Sequence, residues 1–239
     1  ADFYNGKLPA GMTVADLDGQ EILSTDYRVG GTDAGWTVVS VLGGTYAAVS
    51  PSHTRTDMPQ SNMLSCPRLT LTGTRPMLRW KARSIHPYLP DAYRVLVQEE
   101  GASQPEVALE VAAENGQWTT RAVDLTPWLG KSVTISFECV SVNKYLLAID
   151  DIKVGDPQET SYIAHAANGE FAGLAWDFPG ADTGTARLSG IVANMGKPLS
   201  GGKLVLLCGG AASGTVPLPD LFDCGEEVPY GFDLPVSLD

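Results

Sequence analysis

Short runs of alternating apolar and polar residues recur along the chain, at lengths suited to β-strands. Residues 77–82 (MLRWKA), 93–98 (YRVLVQ) and 132–140 (SVTISFECV) alternate at period two. Residues 36–42 (WTVVSVL) are rich in β-branched side chains, and 68–71 and 145–154 (YLLAIDDIKV) add two further runs. Residues 105–114 (PEVALEVAAE) carry two signals: a proline suited to a first helical turn, and Val107, Leu109, Val111 and Ala113 on one face of a strand. The strand is the expectation. Gly, Pro and Asp turns separate the runs, a pattern that predicts a β-sandwich. Past Gly155-Asp156-Pro157 further strands are expected at 184–193, 203–208 and 230–238. Two domains follow, 1–155 and a smaller 156–239. No fixed-period repeat of solenoid length is present.

Composition supports a packed core: of 239 residues, 44% are hydrophobic and only 18% charged. The net charge of -12 is uneven. Residues 1–155 hold 13 Lys+Arg against 17 Asp+Glu, and 156–239 hold 3 against 11. Nucleic acid and anionic membrane surfaces are poor partners for such a chain. No apolar run is long enough to span a bilayer as a helix, and no charged-then-apolar leader opens the sequence.

Four cysteines, Cys66, Cys139, Cys208 and Cys224, form no CxxC pair, which removes zinc-ribbon and thioredoxin-type readings. They are compatible with free thiols or with disulfides, and Cys208 with Cys224, flanking a Gly/Pro-rich connection, is the best candidate pair. His53, His86 and His165 lie far apart, without a GxSxG, HExxH or P-loop motif, and the expectation is that the chain is not an enzyme. Asp16 and Asp18 form a compact acidic turn that resembles the first half of an EF-hand loop, but the twelfth position is Tyr27 and not Glu. Residues 84–93 (SIHPYLPDAY) place His86, Tyr88, Asp91 and Tyr93 on a stretch stiffened by Pro87 and Pro90, the best candidate for a glycan platform. Trp36, Trp80, Trp118 and Trp128 are expected in the core.

Several landmarks occur in a fixed order: Asp2-Phe3, Leu8-Pro9-Ala10-Gly11-Met12, Asp16-Leu17-Asp18-Gly19, residues 62–69 (NMLSCPRL), Trp118-Thr119, 123–131 (VDLTPWLGK) and 149–154 (IDDIKV). Together they resemble the cleaved-adhesin or choice-of-anchor J domains of Bacteroidetes surface proteins, found in gingipain adhesin regions. Met12 stands where that pattern has Trp, and Cys66 interrupts an apolar strand. The resemblance implies a jelly-roll sandwich of the galactose-binding or MAM type. It implies a non-catalytic, secreted or cell-surface role in adhesion, with a glycan or an extracellular host protein as partner. It also implies a structural calcium tying the first and last strands, through Asp2 and one of Asp150 and Asp151, beside the Asp16–Asp18 turn. Residues 188–196 (LSGIVANMG) resemble a strand and turn of Ig-like or fibronectin-type modules, so the second domain is expected to be a small Ig-like sandwich. The alternatives are a structural spacer that binds nothing and, third, a glycan-active enzyme.

Overall fold

A computed structural model describes residues 3–23, 25, 35–41, 45–157, 162–172 and 183–237. The chain divides into two compact units, 1–156 and 157–239. The first contains β1 (Thr13–Asp16), β2 (Thr37–Ser40), β3 (Tyr46–Pro51), β4 (Asn62–Ser65), β5 (Leu69–Thr70), β6 (Met77–Ser84), β7 (Tyr93–Glu99), β8 (Glu106–Val111), β9 (Thr119–Asp124), β10 (Ser132–Cys139) and β11 (Leu146–Gly155). One sheet is six-stranded, ordered β1-β4-β10-β7-β8 with β5 also on β10; the other is five-stranded, ordered β2-β3-β11-β6-β9. The pairings are antiparallel, and the chain passes repeatedly from sheet to sheet, the jelly-roll pattern. No helix among the described residues is long and apolar enough to cross a membrane.

Period-two alternation decides which side chains meet between the sheets. Along β10, Val133, Ile135, Phe137 and Cys139 are buried while the intervening residues are half-exposed. Opposite them lie Leu78, Trp80, Ala82, Leu147 and Ile149 in the same core cluster. Trp80 meets Phe137 edge-to-face at 5.5 Å, a geometry that adds about 1 kcal/mol beyond burial. Trp36 and Trp128 are buried as expected. Trp118 is only half-buried and belongs to a second cluster with Val49, Ile85, Leu146 and Tyr145. Of the ambiguous run at 105–114, residues 106–111 form strand β8, edge-paired with β7; a bulge turns Val107 outward, away from the face of Leu109 and Val111, and Ala113 lies beyond the strand.

Asp150 opens a bulge in β11, and Asp151 takes φ of 55°. Its carboxylate pairs with Lys81 at 3.3 Å and Lys153 at 3.4 Å. Partial burial pushes its pKa up, but the two ammonium groups outweigh it and hold Asp151 below the usual carboxylate range.

The second unit holds β12 (Tyr162–Ala172), β13 (Thr183–Asn194), β14 (Leu199–Ser200), β15 (Lys203–Cys208), β16 (Ala211–Pro217), β17 (Leu221–Phe222) and β18 (Glu227–Ser237). They form a three-stranded sheet, β12-β13-β18, and two ribbons, β14-β17 and β15-β16. Its buried side chains include Val192, Met195, Phe222 and Phe232. Buried Asn194 donates to the Lys197 and Phe222 carbonyls at 3.0 and 2.8 Å and accepts the Gly196 amide at 2.8 Å. The disulfide expected between Cys208 and Cys224 is not formed. Cys208 sits exposed at the tip of the β15–β16 hairpin, opposite Ala211, whereas Cys224 is buried in the turn after β17. Spacing along the chain suggested the pair, but the hairpin carries Cys208 outward.

Candidate functional site

One end of the sandwich gathers the β6–β7 loop, the β8–β9 connection and the β10–β11 loop. Backbone bonds knit them: Ser84 donates to the Asn115 carbonyl at 2.8 Å, Ile85 to Leu146 at 2.9 Å and Glu114 to Asp91 at 2.8 Å. Gly116 lies against Pro87, where a Cβ would come within 3.0 Å of the ring and Cα. Only a glycine permits that approach without displacing the loop.

The β6–β7 loop presents Tyr88, 85% exposed, with Leu89 beside it. His86 is half-buried behind Tyr88, with ring centroids 6.0 Å apart, and equally 6.0 Å from Tyr145. Both contacts are edge-to-face. The Tyr88 amide donates to His86 Nδ1 at 3.3 Å. An aromatic row, Tyr88–His86–Tyr145, thus runs from solvent onto the second apolar cluster. Such faces stack on sugar rings or anchor in protein pockets, and the polar ring edges supply direction.

Two of the expected platform residues lie inside instead. Asp91 is fully buried. Its carboxylate accepts Ser52 Oγ at 2.6 Å, Ser84 Oγ at 2.7 Å and Ser141 Oγ at 3.0 Å. Burial raises its pKa, and the three hydroxyl donors only partly oppose that. Ser84 ends β6, Ser52 follows β3 and Ser141 lies beyond β10, so Asp91 pins the base of the loop. Tyr93 opens β7 on the inner face and is likewise fully buried. Its hydroxyl donates to Glu114 at 2.9 Å and accepts Trp80 Nε1 at 3.1 Å. Arg121 closes the chain on Glu114 at 2.9 Å. Burial pushes the Tyr93 pKa well up. Neither residue can touch a ligand at the surface. Tyr145, half-buried against His86, joins the row, and sequence reasoning missed it.

The described members of the expected calcium set do not converge. Asp16 Oδ1 accepts the Asp18 and Gly19 amides at 3.1 and 2.8 Å, and Asp18 accepts the Gln20 amide at 2.8 Å and the Ser61 amide. These carboxylates cap a turn. Asp150 and Asp151 lie in the other sheet, and Asp2 is outside the described residues. Among the described residues no three His, Cys, Asp or Glu side chains converge where a metal ion could sit.

No family model matches the chain. No curated protein matches it. Among solved structures it is similar to the K2 cleaved adhesin domain of Lys-gingipain, at 20% identity, with 65% of this chain and 97% of that one covered and a TM-score of 0.48. It is similar to the K3 cleaved adhesin domain of the same protein from Porphyromonas gingivalis, at 20% identity over 64% of this chain and 94% of that one, with a TM-score of 0.46. A carbohydrate-binding module in complex with β-1,4-galactotriose is also similar, at 14% identity over 64% and 93% of the two chains, with a TM-score of 0.45.

Proposed function

We propose that this chain is a non-catalytic extracellular binding module, secreted or held at a cell surface, that recognises a glycan or an extracellular protein through the aromatic end of its jelly roll. One observation carries the reading: Tyr88 projects at 85% exposure from a loop whose base is closed by buried hydrogen bonds. A rigid aromatic face of this kind loses little conformational entropy on binding. The acid and the tyrosine with raised pKa values, Asp91 and Tyr93, are enclosed and hydrogen-bonded, which suits structural roles better than proton transfer to a substrate. The second unit is read as an Ig-like or fibronectin-type module, on its sequence resemblance at 188–196. A screen of the whole chain against glycan and extracellular-matrix arrays tests the proposal. Reproducible capture by one ligand class supports it, and capture by none favours a module that only spaces its neighbours.

A further inference from the structure

Among the described residues β1 and β2 are the terminal strands of the two sheets of the first unit. Between them opens a cavity of about 350 Å³, lined by Leu8, Val14, Trp36 and Val38 and, on the N-terminal segment, by Gly6 and Lys7. Leu8, Val14 and Val38 pack on the margin of the main core but stay half-buried, so apolar surface there still meets water. An apolar body in the cavity would take that surface out of water.

The N-terminal wall is formed in advance. Fully buried Phe3 anchors the segment, and its carbonyl accepts the Gly6 amide at 2.8 Å. Gly6 takes φ of 70°, and a Cβ there would come within 2.9 Å of the Tyr46 ring. Only glycine lets the segment pass that ring in this conformation. Asn5 Oδ1 accepts the Lys7 amide at 3.0 Å, which fixes the backbone that carries the Lys7 side chain. A ligand therefore meets a built cavity and orders little chain on binding.

The polar content selects the ligand. Trp36 Nε1 is spent on the Asn62 carbonyl at 2.9 Å, so Lys7 and Thr37 are the other polar side chains of the lining. Lys7 is its one charged residue, is exposed, and has no ion pair among the described residues. The chain carries a net charge of -12, but distant charges are screened beyond roughly 8 Å at physiological salt, so the local sign is positive. Two polar side chains offer a poor match to a ligand built of hydroxyls. The volume lies at the small end of the roughly 300–1,000 Å³ of small-molecule sites, enough for one ring or branched aliphatic group.

We propose that this cavity binds a small organic acid, an aromatic or branched aliphatic body whose single carboxylate pairs with Lys7. The site is separate from the Tyr88 end and does not depend on it. The test follows the amide NMR resonances of the isotope-labelled whole chain during titration with 3-phenylpropionate and with its neutral analogue 3-phenylpropionamide. The acid shifts the Lys7, Leu8 and Thr37 amides saturably, with a dissociation constant of about 1 mM or below, and binds about fivefold or more tighter than the neutral analogue. Lys7→Gln, a change at an exposed side chain, removes that preference. Thr37→Trp fills the cavity from the edge strand and abolishes binding of both probes, with a melting curve confirming that it folds. No saturation up to about 10 mM, shifts confined to residues outside the lining, equal affinity of wild type for the two probes, or binding retained by folded Thr37→Trp overturns the proposal. A peptide ending in a free phenylalanine carboxylate that binds about tenfold tighter than the acid also overturns it, because the cavity would then be reading a chain end.

Discussion

Ser84 Oγ donates to Asp91 Oδ2 at 2.7 Å, spanning the stretch that carries His86 and Tyr88. The Asp91 amide donates back to Ser84 Oγ at 3.1 Å. The exposed aromatic loop is thus clamped at its base by a buried carboxylate, beside the backbone bonds to Asn115 and Leu146. Asp91→Ala leaves three serine hydroxyls without their acceptor and is expected to cost about 3 kcal/mol, read as a lower urea midpoint.

The same carboxylate sets a pH dependence. An unfolded Asp ionises near pH 4, whereas burial makes the folded Asp91 hold its proton to higher pH. The folded state binds that proton more tightly, so the contribution of Asp91 to stability is fullest below the unfolded pKa. It is lost as pH rises through the folded pKa. Asp91→Asn abolishes the titration. The wild-type advantage in melting temperature over Asp91→Asn is therefore largest near pH 4 and narrows towards neutrality. An advantage that grew with pH would mean that the serine donors outweigh burial.

Glu114 has a fully buried side chain, and Arg121 is the cation that accompanies it. Arg121→Met strands a carboxylate in the core and is expected to destabilise by about 3 kcal/mol or more. Tyr93→Phe removes only the hydroxyl that links Trp80 to Glu114 and is expected to cost about 1–2 kcal/mol. Chemical denaturation of both variants checks the order, and a larger loss for Tyr93→Phe would contradict it.

Cys208 is exposed, whereas Cys139 and Cys224 are buried, and burial raises the Cys139 thiol to about 11. Alkylation of the native chain should modify Cys208 first, with the buried thiols reacting only after unfolding. Intact mass after non-reducing denaturation should match four free thiols. A mass two hydrogens lighter would restore the disulfide.

Much of this architecture was legible in the chain. Alternation located β6, β7 and β10, the apolar run at 145–154 marked β11, and 105–114 was rightly read as strand because β8 pairs with β7, although a bulge breaks its period-two face at Val107. The same alternation held a warning about the site. Tyr93 shares parity with Val95 and Val97, so it had to face inward with them once β7 formed. Asp91 had no local signal, since two of its three serine partners, Ser52 and Ser141, come from distant segments. Tyr145 meets His86 only because β11 and β6 are neighbours, a pairing the sequence does not announce. Likewise, Ser65 and Ser136 become a hydrogen-bonded pair only through the register of β4 and β10.

The most direct test of the aromatic-end account is the dissociation constant of wild type and Tyr88→Ala for the ligand that the arrays select. It should be measured with calcium and with chelator, beside Tyr4→Ala as an exposed-tyrosine control. The account predicts at least a tenfold loss for Tyr88→Ala, an unchanged melting curve and no loss for Tyr4→Ala. Full affinity retained by Tyr88→Ala would contradict it, and affinity lost on chelation alone would move the site to an acidic turn.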